Sequence, residues 1–397
     1  MDKRAPGNSG ASTFEEGRTI LPAACIYLLM NRSYHISRNT RAMWFLQHLN
    51  TVLTIPQRTL VVPNDLELEL VVLSVIPQDP PSSWKPESSH LFQYLVIPTS
   101  NVVFLAHVYS AVFCLDMSPS ISAVDIQHGK VMISEIFIAL RRCVEGIVRP
   151  LIVPGSCIVF EPDIYVTVIA HTPFFTTPAQ QVLVQGWQLT SDNLEEFLSA
   201  IQKQLELLED TIAEVSGMAH DFLETDRMMQ AESEKLVGSL FEDGPELSGA
   251  SVSSHVAMVS PDSGFINLLR YGILALRLLP TSSSLNLIVV TDGIITLPDV
   301  HLQDSVLTQL RCNTVSCSFL HVGSQFHPFC CQGLIPYTDL MQFIASATLG
   351  SYIPSLPKVE SGSGVNIYHE ALLLWSFNKK SSIGEVANYL DGEWSIL

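Results

Sequence analysis

Three strand-length runs in this chain are apolar almost from end to end, and a fourth sets small polar residues among its apolar ones. They are "NVVFLAHVYSAVFCL" (101–115), "IYVTVIAH" (164–171), "LNLIVVT" (285–291) and "TVSCSFLHVGS" (314–324). A strand with one solvated face alternates polar and apolar residues, whereas a run without alternation belongs in a sheet covered on both sides. Between and around these runs lie segments of helical period. "SEIFIALRRCVEGIV" (134–148) sets Ile136, Phe137, Leu140 and Val144 on one face. "DNLEEFLSAIQKQLELLEDTIAEV" (192–215) repeats Leu198, Ile201, Leu205, Leu208, Ile212 and Val215 in threes and fours. Helices are also expected at 263–280, stopped by Pro280, at 300–313 and at 337–352. The alternation predicts an α/β fold with a doubly wound, mostly parallel sheet.

The amino-terminal part reads differently. Residues 1–18 are polar and expected to be a disordered tail, and 19–100 a small α+β region. Within it "AACIYLLM" (23–30) and "LELELVVLSVI" (66–76) read as strands, and "SRNTRAMWFLQHLNTVL" (37–53) as a helix. That helix would be capped by Ser37 or Asn39 and carry Trp44, Phe45, Leu49 and Val52 on its apolar side. "QDPPSSWKPESS" (78–89) reads as a Pro/Ser loop. The large domain is expected over 101–352, with a break in its first run near Tyr109-Ser110 and an acidic helical insertion at 192–250. An extension and tail would follow at 353–397, with one last apolar element at 366–377.

Charge narrows the function classes. The formal net charge is −18, and residues 195–246 carry 14 acidic and 3 basic side chains, so −11 is concentrated there. Such a balance argues against a nucleic-acid partner, which needs cations along the phosphate backbone. Charged residues make up only 15% of the chain, which points to surface covered by a partner or by more chain. The eight cysteines form no C-x-x-C pair and several sit in apolar runs, which favours a reducing, cytoplasmic compartment. No uncharged apolar stretch reaches the length of a membrane span, and "ILPAACIYLLM" (20–30) reads as a buried strand rather than a signal segment.

Two of the apolar runs end in groups able to hold a cation. "FCLDMSPSIS" places Asp116, Ser118 and Ser120 directly after a strand, and "VVTDG" places Asp292 after another. Ligands of open α/β sheets sit at the carboxyl ends of strands, near the point where strand order reverses. A magnesium-like ion takes oxygen ligands in near-octahedral geometry and keeps several waters. One carboxylate and two hydroxyls from one loop, with a carboxylate from a neighbouring strand end, meet that demand. Each half alone is a common turn; the combination, at two strand ends of one domain, is more specific.

These residues resemble the signature of the von Willebrand factor A domain family over 101–352. The resemblance implies that D-x-S-x-S follows the first strand, T-D-G the fourth, and that Mg2+ is held between them. In that family a threonine contributes from the loop before the helix that precedes the T-D-G strand. Here the loop reads "VSPDSGF" (259–265), so Ser260 or Ser263 would stand in for it. A second resemblance runs in collinear blocks from about 23 to 377. "YLLMNRSYHISRNTRAMWFLQHLNTV", "LVIPTSNVVFL" and "RPLIVPGSCIVFEPDIYVTVIAH" are similar to the amino-terminal region of the seizure threshold 2 family. That family supplies the large subunit of KICSTOR. The resemblance implies a scaffold whose partners are other KICSTOR subunits and the GATOR complex, acting against TOR signalling during amino-acid starvation. It implies a cytoplasmic location, peripheral to the lysosomal membrane, with the peroxisome as a second address. Family members are many times longer, so the chain is expected to be an amino-terminal fragment or a short form with an alternative end.

Other chemistry finds little footing. There is no P-loop, G-x-G-x-x-G, H-E-x-x-H or G-x-S-x-G, so no catalytic and no organic-cofactor-binding residue is assigned. Cys330 and Cys331, with His321 and His327 nearby, would be a poor zinc set, because vicinal thiols do not span a tetrahedron.

Overall fold

The computed structural model describes residues 19–30, 38–56, 70–122, 124–125, 129–172, 180–211, 261–295, 299–323, 335–354 and 375–376. The tail 1–18, the insertion beyond residue 211 and the segment 377–397 lie outside them, as does Ser37.

The amino-terminal region builds a six-stranded sheet around β1 (Ile20–Met30). Helix α1 (Arg38–His48) and strand β2 (Val52–Thr54) follow β1. Strand β3 (Leu70–Pro77) runs antiparallel to β1 along most of its length. On its other side β1 meets two strands in succession, both parallel: β4 (Gln93–Leu95) at Ile20–Pro22 and β5 (Asn101–Ala106) from Cys25 onward. Strand β2 closes one edge against β4, and Trp375–Ser376 closes the other against β5. The run 20–30 is thus a central strand with partners on both sides.

The helix expected over 37–53 ends at His48, and its last residues take another path. Asn50 adopts φ 60°, a left-handed conformation that no α-helix continues through. Val52 consequently lies in β2, 42% exposed, rather than on the apolar side of α1. The Pro/Ser loop contains a short 3-10 helix, Pro86–Leu91, pinned where Trp84 Nε1 donates to Tyr94 Oη at 2.9 Å and Tyr94 Oη donates to the Ser89 carbonyl at 2.7 Å.

The apolar run from residue 101 is divided between the two sheets. Residues 101–106 belong to the first sheet, and β6 (Val108–Asp116) opens the second, with only His107 between them. There is no break at Tyr109-Ser110. The Tyr109 hydroxyl accepts from Ala106 N at 2.9 Å, and the His107 carbonyl accepts from Asp163 N at 2.9 Å, which fixes the change of sheet. An apolar run buried in either sheet has the same composition, so this division is invisible to pattern.

The second sheet also has six strands. After β6 come α2 (Met132–Val148), β7 (Asp163–His171), β8 (Gln180–Leu189) and α3, described over 194–211. Then follow α4 (Pro261–Leu276), β9 (Ser284–Thr291), α5 (Val300–Cys312), β10 (Ser316–His321), α6 (Thr338–Ala347) and β11 (Tyr352–Ile353). Their order across the sheet is β8-β7-β6-β9-β10-β11, and every neighbouring pair is parallel except β7 with β8. Order therefore reverses between β6 and β9, which is where such sheets place ligands.

Burial on both faces explains the missing alternation. Along β6, Ala111, Phe113 and Leu115 enter one core with Ile136, Leu140 and Val144 of α2 and Phe197, Ile201 and Leu205 of α3. The intervening Val112 and Cys114 enter a second core with Leu269 and Ile273 of α4, Leu310 of α5 and Met341 of α6. The first core also takes in Ile26, Leu28, Tyr94 and Phe104, so the amino-terminal sheet packs onto the α2 and α3 side.

Candidate functional site

Asp116 is the last residue of β6, and Thr291 the last of β9. Pairing of Leu115 with Val290 sets the two residues side by side at the carboxyl end of the sheet. The Thr291 hydroxyl donates to Asp116 Oδ2 at 2.7 Å, and the Ser118 backbone N–H donates to Oδ1 at 3.1 Å. The second contact is a local turn that aspartate favours, closing the loop two residues on. A 3-10 turn, Pro119–Ser122, then carries Ser120 back so that its hydroxyl lies 2.9 Å from that of Ser118. Ile121, 2% exposed, anchors this turn in the core.

On the neighbouring strand end, Asp292 Oδ1 accepts from Ile294 N at 3.0 Å, and Thr291 Oγ1 accepts from Gly293 N at 3.0 Å. Gly293 has φ 77°, and a Cβ there would stand 2.8 Å from Met341 Cε, so the turn after Asp292 requires glycine. The Asp292 carbonyl accepts from His321 Nε2 at 2.9 Å. Because a carbonyl can only accept, Nε2 carries the proton, and Tyr352 Oη donates to the other nitrogen, Nδ1, at 3.1 Å. His171, the last residue of β7, is paired with Asp116 in the sheet, and its carbonyl accepts from Met117 N at 2.8 Å.

Both carboxylates are buried, Asp116 at 6% and Asp292 at 1% exposure. Burial, and then the neighbouring Asp292 carboxylate, push the Asp116 carboxyl up to about 7, while the bonds from Thr291 and Ser118 pull it the other way. Among the described residues no basic side chain pairs with Asp116; the ion pairs there join Arg141 to Glu145 and Glu195. The donor set of Asp116, Ser118, Ser120 and Asp292 is all oxygen, with two like charges out of water. Such a set fits a hard divalent cation, which would relieve the repulsion and exchange part of its hydration shell for carboxylate and hydroxyl.

The structure brings Asp116, Ser118 and Ser120 together and sets Asp292 on the adjoining strand end. Ser260 and the side chain of Ser263 lie outside the described residues. So do His327, Cys330 and Cys331; the fourth member of that weak zinc set, His321, is bonded to the Asp292 carbonyl and Tyr352. Thr291, Gly293 and Tyr352 support the site and were given no role of their own from sequence, and His321, weighed there only with the cysteines, supports it too. Thr291 could have been found, since it adjoins Asp292 in the same tripeptide.

No family model matches the chain. Among solved structures, it is similar to the SpRpn10 VWA domain at 11% identity and TM-score 0.32, over 66% of this chain and 93% of that one. It is similar to the manganese-loaded TRAP protein of Plasmodium vivax at 9% identity and TM-score 0.33, over 70% and 78%. The TFIIH p34 N-terminal domain matches at 10% identity and TM-score 0.31, over 67% and 96%. The assignment of a von Willebrand factor A-like fold rests on the strand order and the two strand-end loops described above.

Proposed function

We propose that this chain is a non-catalytic interaction module, a von Willebrand factor A-like scaffold that works within KICSTOR. In this reading it helps to recruit the Rag-directed GATOR complex to the lysosomal surface and so restrains TOR signalling when amino acids are scarce. The collinear sequence blocks between residues 23 and 377 support the assignment to that assembly. The observation that carries the interaction-module reading is how the polar groups at the switch point are engaged. Asp116 accepts from Thr291 and Ser118, the two serine hydroxyls bond each other, and both ring nitrogens of His321 are bonded. Groups held in this way are set to grip a ligand rather than to activate a nucleophile, which needs a base facing it. Co-precipitation of the chain with KICSTOR and GATOR subunits from amino-acid-starved cells tests the assignment. Recovery of none of them would defeat it.

A second reading, a metal-dependent protein-ligand binder, is favoured by the burial of Asp116 beside Asp292. A Mg2+-type ion held by Asp116, Ser118, Ser120 and Asp292 would leave a position for an acidic side chain of the partner. Titration of the chain with Mg2+ and Mn2+, with and without Asp116→Ala, measures the ion directly. Partner affinity that is the same in EDTA would exclude this reading while leaving the scaffold intact.

A further inference from the structure

Helix α4 has two apolar sides. Its inner side, with Phe265, Leu268, Leu269, Ile273 and Leu276, fills the second core. Its outer side, read in steps of three and four, is Asn267, Arg270, Tyr271 and Leu274, and Arg277 and Leu278 follow in the tight turn that ends it. Tyr271 is 42% exposed, Leu274 52% and Leu278 70%. Single exposed apolar residues need no explanation, but two a turn apart on the helix, with a third in the turn that follows, make an apolar patch where a surface helix ordinarily turns polar residues to water. The patch carries two cations and no acid, and neither Arg270 nor Arg277 has an ion-pair partner among the described residues. Arg277 stands just beyond the helix end, where the helix dipole favours a cation. Arg270, nearly two turns earlier, gains nothing from the dipole.

We propose that this face of α4 docks an acidic amphipathic helix of a partner protein. Aliphatic side chains of that helix would cover Tyr271, Leu274 and Leu278, with carboxylates beside the patch meeting Arg270 and Arg277. The charge of the surface selects the partner: a basic or neutral helix would leave both guanidinium groups without a counter-charge as they lose water. The chain's overall charge of −18 opposes an acidic partner at long range, so discrimination is made by contact within roughly 10 Å and weakens with salt. The acidic helix α3 of the same chain is not the occupant, because Phe197, Ile201 and Leu205 bury it in the other core, on the opposite face of the sheet. The surface is independent of the cation reading.

The test uses the full chain and two labelled synthetic helical peptides with leucine at heptad positions a and d. One is flanked by glutamate and the other by lysine, and binding is followed by fluorescence anisotropy. The glutamate peptide is expected to bind, to weaken with added salt and to be indifferent to EDTA. Leu274→Asp should weaken it by about tenfold or more. The double change Arg270→Glu/Arg277→Glu should do the same and admit the lysine peptide instead. Leu274, Arg277 and Leu278 are exposed and Arg270 is half-buried, so the variants should melt close to the parent; a variant that does not is replaced by Leu278→Ser, with the same loss of binding expected. Equal binding of both peptides, or full binding by the leucine variant, would overturn the proposal. So would self-association in sedimentation velocity that Leu274→Asp abolishes, since a second copy would then occupy the face.

Discussion

The Thr291 hydroxyl and the Asp116 carboxylate are 2.7 Å apart and 175 residues distant in the chain. This one bond joins the two strand ends at which sheet order reverses. It also makes Thr291 a relay, because the same oxygen that donates to Asp116 accepts from Gly293 N.

Replacing Thr291 by the isosteric valine would keep the packing and remove both bonds. Asp116 Oδ2 and the Gly293 N–H would be left in a buried place without that partner. A loss of about 1–3 kcal/mol is expected, read from the urea midpoint. A midpoint equal to that of the parent would mean that the hydroxyl does not hold the two strand ends together.

Asp116 predicts a specific dependence on pH. Its folded-state pKa of about 7 lies above the ordinary 3.8, so the folded protein holds this proton more tightly than the unfolded chain. The associated stability is complete below 3.8 and is lost as pH rises through about 7. The loss should not exceed about 1.4 kcal/mol per pH unit. Thermal melts across this window should show the slope in the parent and a flatter profile in Asp116→Asn. Added Mn2+ should restore stability on the alkaline side in the parent only.

Gly272 lies where α4 crosses the sheet. A Cβ there would collide with Leu287 Cδ1 and stand 2.9 Å from Cys114 Sγ. On an exposed helix, alanine for glycine gains about 1 kcal/mol. Here overpacking, at about 1–3 kcal/mol, should win, so Gly272→Ala is expected to lower the melting temperature. A rise would mean that the helix can retreat from the sheet without loss.

The thiols divide by burial. Burial pushes the thiols of Cys114, Cys143 and Cys317 upward, so little reactive thiolate forms. Cys157 and Cys312 are exposed. Among the described cysteines of the native protein, a thiol reagent should modify Cys157 and Cys312 first and reach the buried three only on unfolding, as mass mapping of a time course would show. Early labelling of Cys114 would contradict the packing of α4 against β6.

Most strands and helices of the second sheet were legible because their signals are local, although the helix expected over 337–352 ends at Ala347 and Tyr352 begins β11. "IYVTVIAH" is apolar on both faces wherever it is placed, and it became the inner part of β7. Asp116, Ser118 and Ser120 were equally legible, since one short loop holds all three. Less legible were the left-handed Asn50 that ends α1 early and the change of sheet at His107, because each is fixed by contacts with distant chain. His321 illustrates the same limit: in sequence it stands near Cys330 and Cys331, yet in space its proton is directed at the Asp292 carbonyl.

The sequence by itself determined which runs are buried on both faces, where the acidic surplus lies, and that two strand ends carry clustered carboxyl and hydroxyl oxygens. Those properties reside in single segments and survive any arrangement of them. Only the tertiary structure decided that β6 and β9 are neighbours, that residues 101–106 enter a different sheet from 108–116, and that Thr291 faces Asp116. It alone also turned Tyr271, Leu274 and Leu278 outward. The physical reason is that hydrophobic burial is non-directional and many strand orders would satisfy it. Register, hydrogen bonds and the loss of water around Asp116 depend on which segments meet, and that is decided only when the whole sheet closes.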